Sequence, residues 1–202
     1  MTPETDDLSA YLQATPVIDG DHPHVADRAA DVSRDASTDV AQARALFEWV
    51  RDEIPHSWDI QSRLVTCAAS EVLQKGTGIC FAKSHLLAAM CRSVGIPAGL
   101  VYQRFRHEAG GEEFGLHGLN AIYLESLHRW IRVDPRGNKP GVDAQFCLDG
   151  EQLAFPPDPS KGERIIETIF TDADPAVVDF LTKTPDLLAG WEDLPAELLR
   201  PG

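Results

Sequence analysis

The spacing of apolar positions changes period along the chain, and the changes divide it into helices and then strands. Over residues 38–53, Val40, Ala43, Leu46, Phe47 and Val50 recur at helical spacing. They predict an amphipathic helix capped by Thr38 or Ser37 and stopped by Pro55. A short helix is expected over residues 68–74, capped by Thr66 or a neighbour and carrying Glu71. Next comes GTGICFAKSHLLAAMCRSVGIPA, residues 76–98. Gly76 and Gly78 bracket an expected tight turn, and Ile79, Leu86, Leu87, Met90 and Val94 predict a helix with one buried face. Gly95 supplies its left-handed cap and Pro97 prevents its continuation. Beyond Pro97 the period becomes two. Residues 98–105 read as a strand with Leu100, Tyr102 and Arg104 on one side and Val101, Gln103 and Phe105 on the other. HEAGGEE, with Gly110-Gly111, reads as a turn; residues 116–124 form a second strand, Glu125, Ser126 and His128 a turn, and 129–133 a third strand ended by Pro135 and Gly137. Short strands joined by turns predict an antiparallel meander.

The flanks are less regular. Residues 1–37 form an acidic arm with Pro3, Pro16 and Pro23, in which Tyr11, Leu12, Val17 and Ile18 are apolar enough to dock. His22 and His24 flank Pro23 among aspartates; this reads as a solvated loop in preference to a metal site. Residues 139–202 contain loop-rich sequence, a strand at RIIETIF, a helix at DPAVVDFLTK with Pro175 in its first turn, and a tail with Trp191. Without an internal repeat or a Gly/Ser linker, the expectation is a single domain over 1–202, with a core at about 38–138 and a C-terminal extension that wraps it or covers its cleft.

Composition narrows the function. The 202-residue chain carries a formal charge of -14. That argues against nucleic acid and an anionic membrane surface as partners, and suggests a neutral or basic substrate. With no apolar run of membrane-spanning length and no basic-then-hydrophobic N-terminus, the expected location is cytoplasmic. Cys67, Cys80, Cys91 and Cys147 show no CxxC pair, so neither a disulfide framework nor structural zinc is expected. No loop has the alternating acidic ligands of a calcium site, and no cofactor is required.

The chemistry concentrates at Cys80. A cysteine in the first turn of a buried helix faces unpaired N–H groups and the positive end of the helix dipole, which favour thiolate. The preceding glycines lack a Cβ and would let a substrate backbone approach. A small buried hydrophobe is the plain alternative. A base and an orienting group come from the meander: His117 begins the second strand and Asp134 ends the third. Adjacent antiparallel strands can set such residues side by side. Packed on the Cys80 helix, they would make Cys80 the nucleophile, His117 its proton acceptor and Asp134 the orienter, with the Cys80 N–H as an oxyanion donor. Singly, His117 could be an ordinary strand histidine and Asp134 a turn residue before proline. Lys83, one turn from Cys80, could support a thiolate, but reads first as solvent-exposed; His85 points to another face and is a poor base. Trp58 could wall a cleft or belong to the core.

These residues resemble the transglutaminase-like superfamily of papain-type thiol enzymes. Gly78-Ile79-Cys80 opens the helix, Gly95-Ile96-Pro97-Ala98 closes it, His117 begins a strand, and Trp130 through Asp134-Pro135 closes another. The resemblance covers about residues 38–138. It implies an α+β papain-like fold, N-terminal helices with the cysteine helix packed on an antiparallel sheet, and catalytic Cys80, His117 and Asp134. After the histidine the family often has a small residue and an aromatic, where this chain has Gly118-Leu119-Asn120. No motif marks the second oxyanion donor; Trp58 and Gln61 are the candidates. The expected activity is attack on an amide bond of a peptide, a protein or a small amide, through a thioester resolved by water. Transamidation and a non-catalytic scaffold are the alternatives.

Overall fold

The structure, a computed structural model, describes residues 1–106 and 114–200. The elements run β1 (Thr2–Pro3), α1 (Pro23–Val32), α2 (Asp39–Glu53), α3 (Ala69–Lys75), α4 (Cys80–Ser93), β2 (Ala98–Arg106), β3 (Phe114–Leu124), β4 (Arg129–Val133), β5 (Arg164–Ile165), β6 (Thr168–Ile169) and α5 (Pro175–Lys183). The predicted α+β architecture is present. β2, β3 and β4 form the antiparallel meander, and β5 adds to the free edge of β2 in the order β4-β3-β2-β5. The expected Gly110-Gly111 turn lies outside the described residues.

Helix α4 is the centre of the core. It packs against α1, α2, α3, β2 and β3, and every residue from Cys80 to Arg92 is buried. The expectation of one buried face is therefore corrected, and so is that of an exposed Lys83, which is 0% exposed. Lys83, Arg92 and His85 Nδ1 are tolerated because backbone carbonyls of neighbouring segments receive them. The Lys83 ammonium donates to the carbonyls of Arg51 (3.2 Å) and Ile54, at the end of α2. The Arg92 guanidinium donates to the carbonyls of Gln13, Ala98 and Thr171 and so ties the N-terminal arm, β2 and the C-terminal region to one helix. His85 Nδ1 meets the Cys67 carbonyl at 2.8 Å, away from Cys80.

Three local readings change. His22-Pro23-His24 opens a helix, α1: Pro23 occupies its first turn, the His22 ring accepts from the His24 N–H at 3.3 Å, and Val25 and Ala29 are buried. Thr66 does not cap α3; its hydroxyl donates to the Thr77 carbonyl, while Glu71 reaches back to the Cys67 N–H at 2.9 Å. The RIIETIF strand is split: β5 pairs antiparallel with β2, and β6 pairs parallel with β1. Thr38 does cap α2, accepting from the Ala41 N–H at 3.1 Å, and Asp174 caps α5 ahead of Pro175.

Among the described residues no helix is long and apolar enough to cross a membrane.

Candidate active site

Two glycines determine how the α4 N-terminus meets its surroundings. Gly76 ends α3 in the left-handed conformation, φ +68°. Gly78 presses against the protein, not toward a substrate: a Cβ there would meet the Ala82 Cβ at 3.1 Å and the Thr66 hydroxyl at 3.2 Å. The segment after Pro55 runs alongside this turn, with a parallel bridge between His56 and Gly78 and a 3.1 Å bond from the Ser57 N–H to the Gly78 carbonyl. Gly118 on β3 is the third contact. A Cβ there would lie 2.8 Å from Phe81 Cδ1 and 3.1 Å from Phe81 Cα. Only glycine lets the first turn of α4 come so close to the sheet, and the residue before it is His117.

Cys80, His117 and Asp134 are brought together. Cys80 and His117 line one cleft and interact, Cys80 being one of the groups that push the imidazole up. On the ring's other side, Nε2 is 2.8 Å from Asp134 Oδ2, which leaves Nδ1 for the sulfur. Asp134 is fully buried and accepts two further bonds, from the N–H groups of Arg136 (3.1 Å) and Ala154 (3.0 Å). Burial opposes charge on both partners. On His117 it is outweighed by the Asp134 carboxylate and by Cys80, and the imidazole is pushed up to about 10. On Asp134 it is outweighed by His117 and the two N–H donors, so the carboxyl is held below its ordinary range. The buried pair is thus built to keep a proton on the imidazole.

Among the described residues, no hydrogen bond joins either sequence-derived oxyanion candidate to Cys80. Gln61 is exposed, and its amide donates to the Trp58 carbonyl at 2.8 Å. Trp58 lines the cleft at the site and stacks on Trp191, ring centroids 4.0 Å apart. The Cys80 N–H itself donates to His56 Nε2 at 3.1 Å.

Cys80 and His117 open onto a cleft of about 810 Å³. Phe105 and Phe155, stacked at 5.7 Å, and the Trp58–Trp191 pair supply its aromatic walls. Arg106, Arg136, Lys139 and Lys161 also line it, against one acidic residue among the described residues, Glu163. The site is therefore more cationic than the whole-chain charge suggests. Asp59 offsets part of this, paired with both Arg136 and Lys139. The extension contributes Lys139–Val142, 154–156, Lys161, Glu163, Trp191 and Leu194 to the lining. Sequence reasoning missed Arg136, Ala154, Phe155 and Asp59; Arg136 alone had a signal, its place directly after Asp134-Pro135. A second depression, between α1 and α3 and lined by His24, Asp27 and Gln74, contains none of the site residues. Among the described residues no cluster of three or more His, Cys, Asp or Glu is placed to hold a metal.

The family model of the transglutaminase-like superfamily matches residues 26–135, more than half of the chain, which therefore belongs to that superfamily. The fold is similar to the crystal structure of a cysteine-protease candidate from Cytophaga hutchinsonii, with TM-score 0.52, 18% identity, and coverage of 65% of this chain and 43% of that one. A weaker likeness is to the periplasmic domain of TgpA from Pseudomonas aeruginosa, with TM-score 0.47, 19% identity, and coverage of 65% and 48%. The chain spans less than half the length of these structures. No curated protein matches it. Membership of the superfamily supports a cysteine enzyme at that level.

Proposed function

We propose that the protein is a thiol hydrolase that cleaves an amide bond through a thioester on Cys80. The observation that carries this reading is the placement of Cys80 and His117 on one open cleft, with the His117 ring held at 2.8 Å by the buried Asp134. Cys80 Sγ attacks the amide carbon and the carbonyl π pair moves to oxygen, while the thiol proton resides on His117. Collapse of the tetrahedral intermediate expels the amine, which takes that proton. Water, deprotonated by His117, then attacks the thioester, and Cys80 is regenerated. Asp134 holds the ring with Nε2–H toward itself and Nδ1 toward the sulfur throughout. Water is preferred to an amine as acceptor because, among the described residues, the one acidic side chain lining the cleft, Glu163, is engaged by the N–H groups of Arg106 and Asp158. The aromatic walls and cationic rim favour acyl groups with apolar and neutral or acidic neighbours, on a peptide, a protein or a small amide.

The test is incubation with casein and with a blocked glutaminyl dipeptide, with and without a primary amine. Ammonia release and new peptide N-termini are followed, and Cys80→Ser serves as the blank. Release of either product by the native chain alone, without preferential amine incorporation, supports hydrolysis. Incorporation that outpaces release would make the enzyme a transamidase. A native chain that never forms an acyl adduct on Cys80 would remove the enzymatic reading.

A further inference from the structure

The backbone N–H at the start of α4 is the natural donor for an oxyanion formed on a carbonyl attacked by Cys80. Here it is already engaged. His56 Nε2 accepts it at 3.1 Å, and no side chain of the N-cap residue Ile79 competes for it. His56 is 5% exposed and lines the cleft next to Cys80. Because Nε2 accepts, the neutral ring must carry its hydrogen on Nδ1. That Nδ1 is buried and has no partner among the described residues. Burial, reinforced by the Arg136 cation, holds the imidazole neutral. The structure thus places one ring hydrogen without an acceptor beside a backbone donor whose partner is that same ring.

We infer that His56 is the second oxyanion donor: its ring occupies the Cys80 N–H at rest and, when an acyl carbonyl enters, turns aside so that the ring N–H and the Cys80 N–H both point at the developing oxyanion. The inference rests on the Cys80 thioester reading. No covalent bond of His56 forms or breaks in this step. A buried N–H without a partner is unfavourable, so its hydrogen bond is available to be gained when the negative charge forms. His85 also has one buried ring nitrogen without a partner among the described residues, but its other nitrogen meets a carbonyl away from Cys80; the His56 ring is set apart by its hold on the Cys80 N–H.

The experiment compares two reactions of one sulfur. Acylation by p-nitrophenyl acetate passes through a tetrahedral oxyanion; alkylation by iodoacetamide does not. Both are measured on the native chain, His56→Gln and His56→Met, with thermal melts to establish folding. Both substitutions are unbranched, and only glutamine carries an N–H. In His56→Met, acylation should fall about 100-fold with alkylation within a few-fold of native, and His56→Gln should recover most of the acylation. Should His56→Met fail to fold, His56→Leu replaces it. Equal loss of both reactions in the folded donorless variant would overturn the inference and leave His56 a structural residue. Faster acylation in that variant would also overturn it, by making the ring only an obstacle. Failure of the thioester reading itself looks different: native Cys80 would then react slowly with both reagents.

Discussion

Replacing Gly118 by alanine tests whether the close approach of α4 to the sheet is what assembles the site. The added Cβ would fall 2.8 Å from Phe81 Cδ1, 3.1 Å from its Cα and 3.3 Å from its N, where ordinary contact begins at 3.4 Å. The Phe81 ring can turn; the Cα and N belong to the helix backbone and cannot. The first turn of α4 must therefore retreat by a few tenths of an ångström. Overpacking of this kind costs roughly 1–3 kcal/mol. The reduced freedom of the unfolded chain offsets about 0.4–1 kcal/mol of it. A net loss of about 1–2 kcal/mol lowers the melting temperature of a chain this size by roughly 2–8 °C. The same retreat draws Cys80 from His117, and the rate of Cys80 alkylation at neutral pH should fall about tenfold. Thermal denaturation and iodoacetamide labelling followed by peptide mapping measure the two effects on one sample. A Gly118→Ala protein that melts at or above the native temperature and alkylates at the native rate would refute the packing argument.

Asp134→Asn keeps an acceptor for the Arg136 N–H but removes the charge that holds the imidazolium. Alkylation of Cys80 below pH 8 should drop at least about tenfold in the folded variant, as expected when the group fixing the ring is neutralised; an unchanged pH profile would count against Asp134's role. Lys83 bears on stability. Burial, with the nearby Arg136, brings its ammonium down to about 7 from its ordinary 10.5. Between those values the unfolded chain holds a proton that the folded chain lacks, so stability rises with pH, by at most about 1.4 kcal/mol per pH unit. Urea unfolding should show the native protein gaining on Lys83→Met from pH 7 toward pH 10; a constant difference would mean that Lys83 keeps its proton in the fold.

Much of the fold is legible because burial imposes period. The stripe of Val40, Ala43, Leu46, Phe47 and Val50 defines α2, and the alternation in 98–105 and 116–124 defines the paired strands β2 and β3. Cys80 and Asp134 were legible because each stands at an element end marked by glycine or proline; His117 lies inside β3, where only the Gly118 that follows marks it. What was not legible depends on partners distant in sequence. Lys83 reads as a surface residue until the carbonyls at the end of α2 are seen to receive it. Helix α1 was hidden because two histidines around a proline among aspartates look like a loop, although proline suits a helix's first turn. The N–H of Ala154, which supports Asp134, comes from an irregular segment without any periodic signal. His56 could be placed next to Cys80 only by the bridge to Gly78.

The central claim is that His117, held by Asp134, activates Cys80. Its most direct test is the rate of Cys80 alkylation by iodoacetamide against pH, for the native chain and His117→Ala, with peptide mapping to separate Cys80 from Cys67, Cys91 and Cys147. Modification of the native chain is expected to be fast, to persist well below the ordinary thiol range and to disappear in His117→Ala. A slow reaction with the same ordinary thiol profile in both proteins would contradict it.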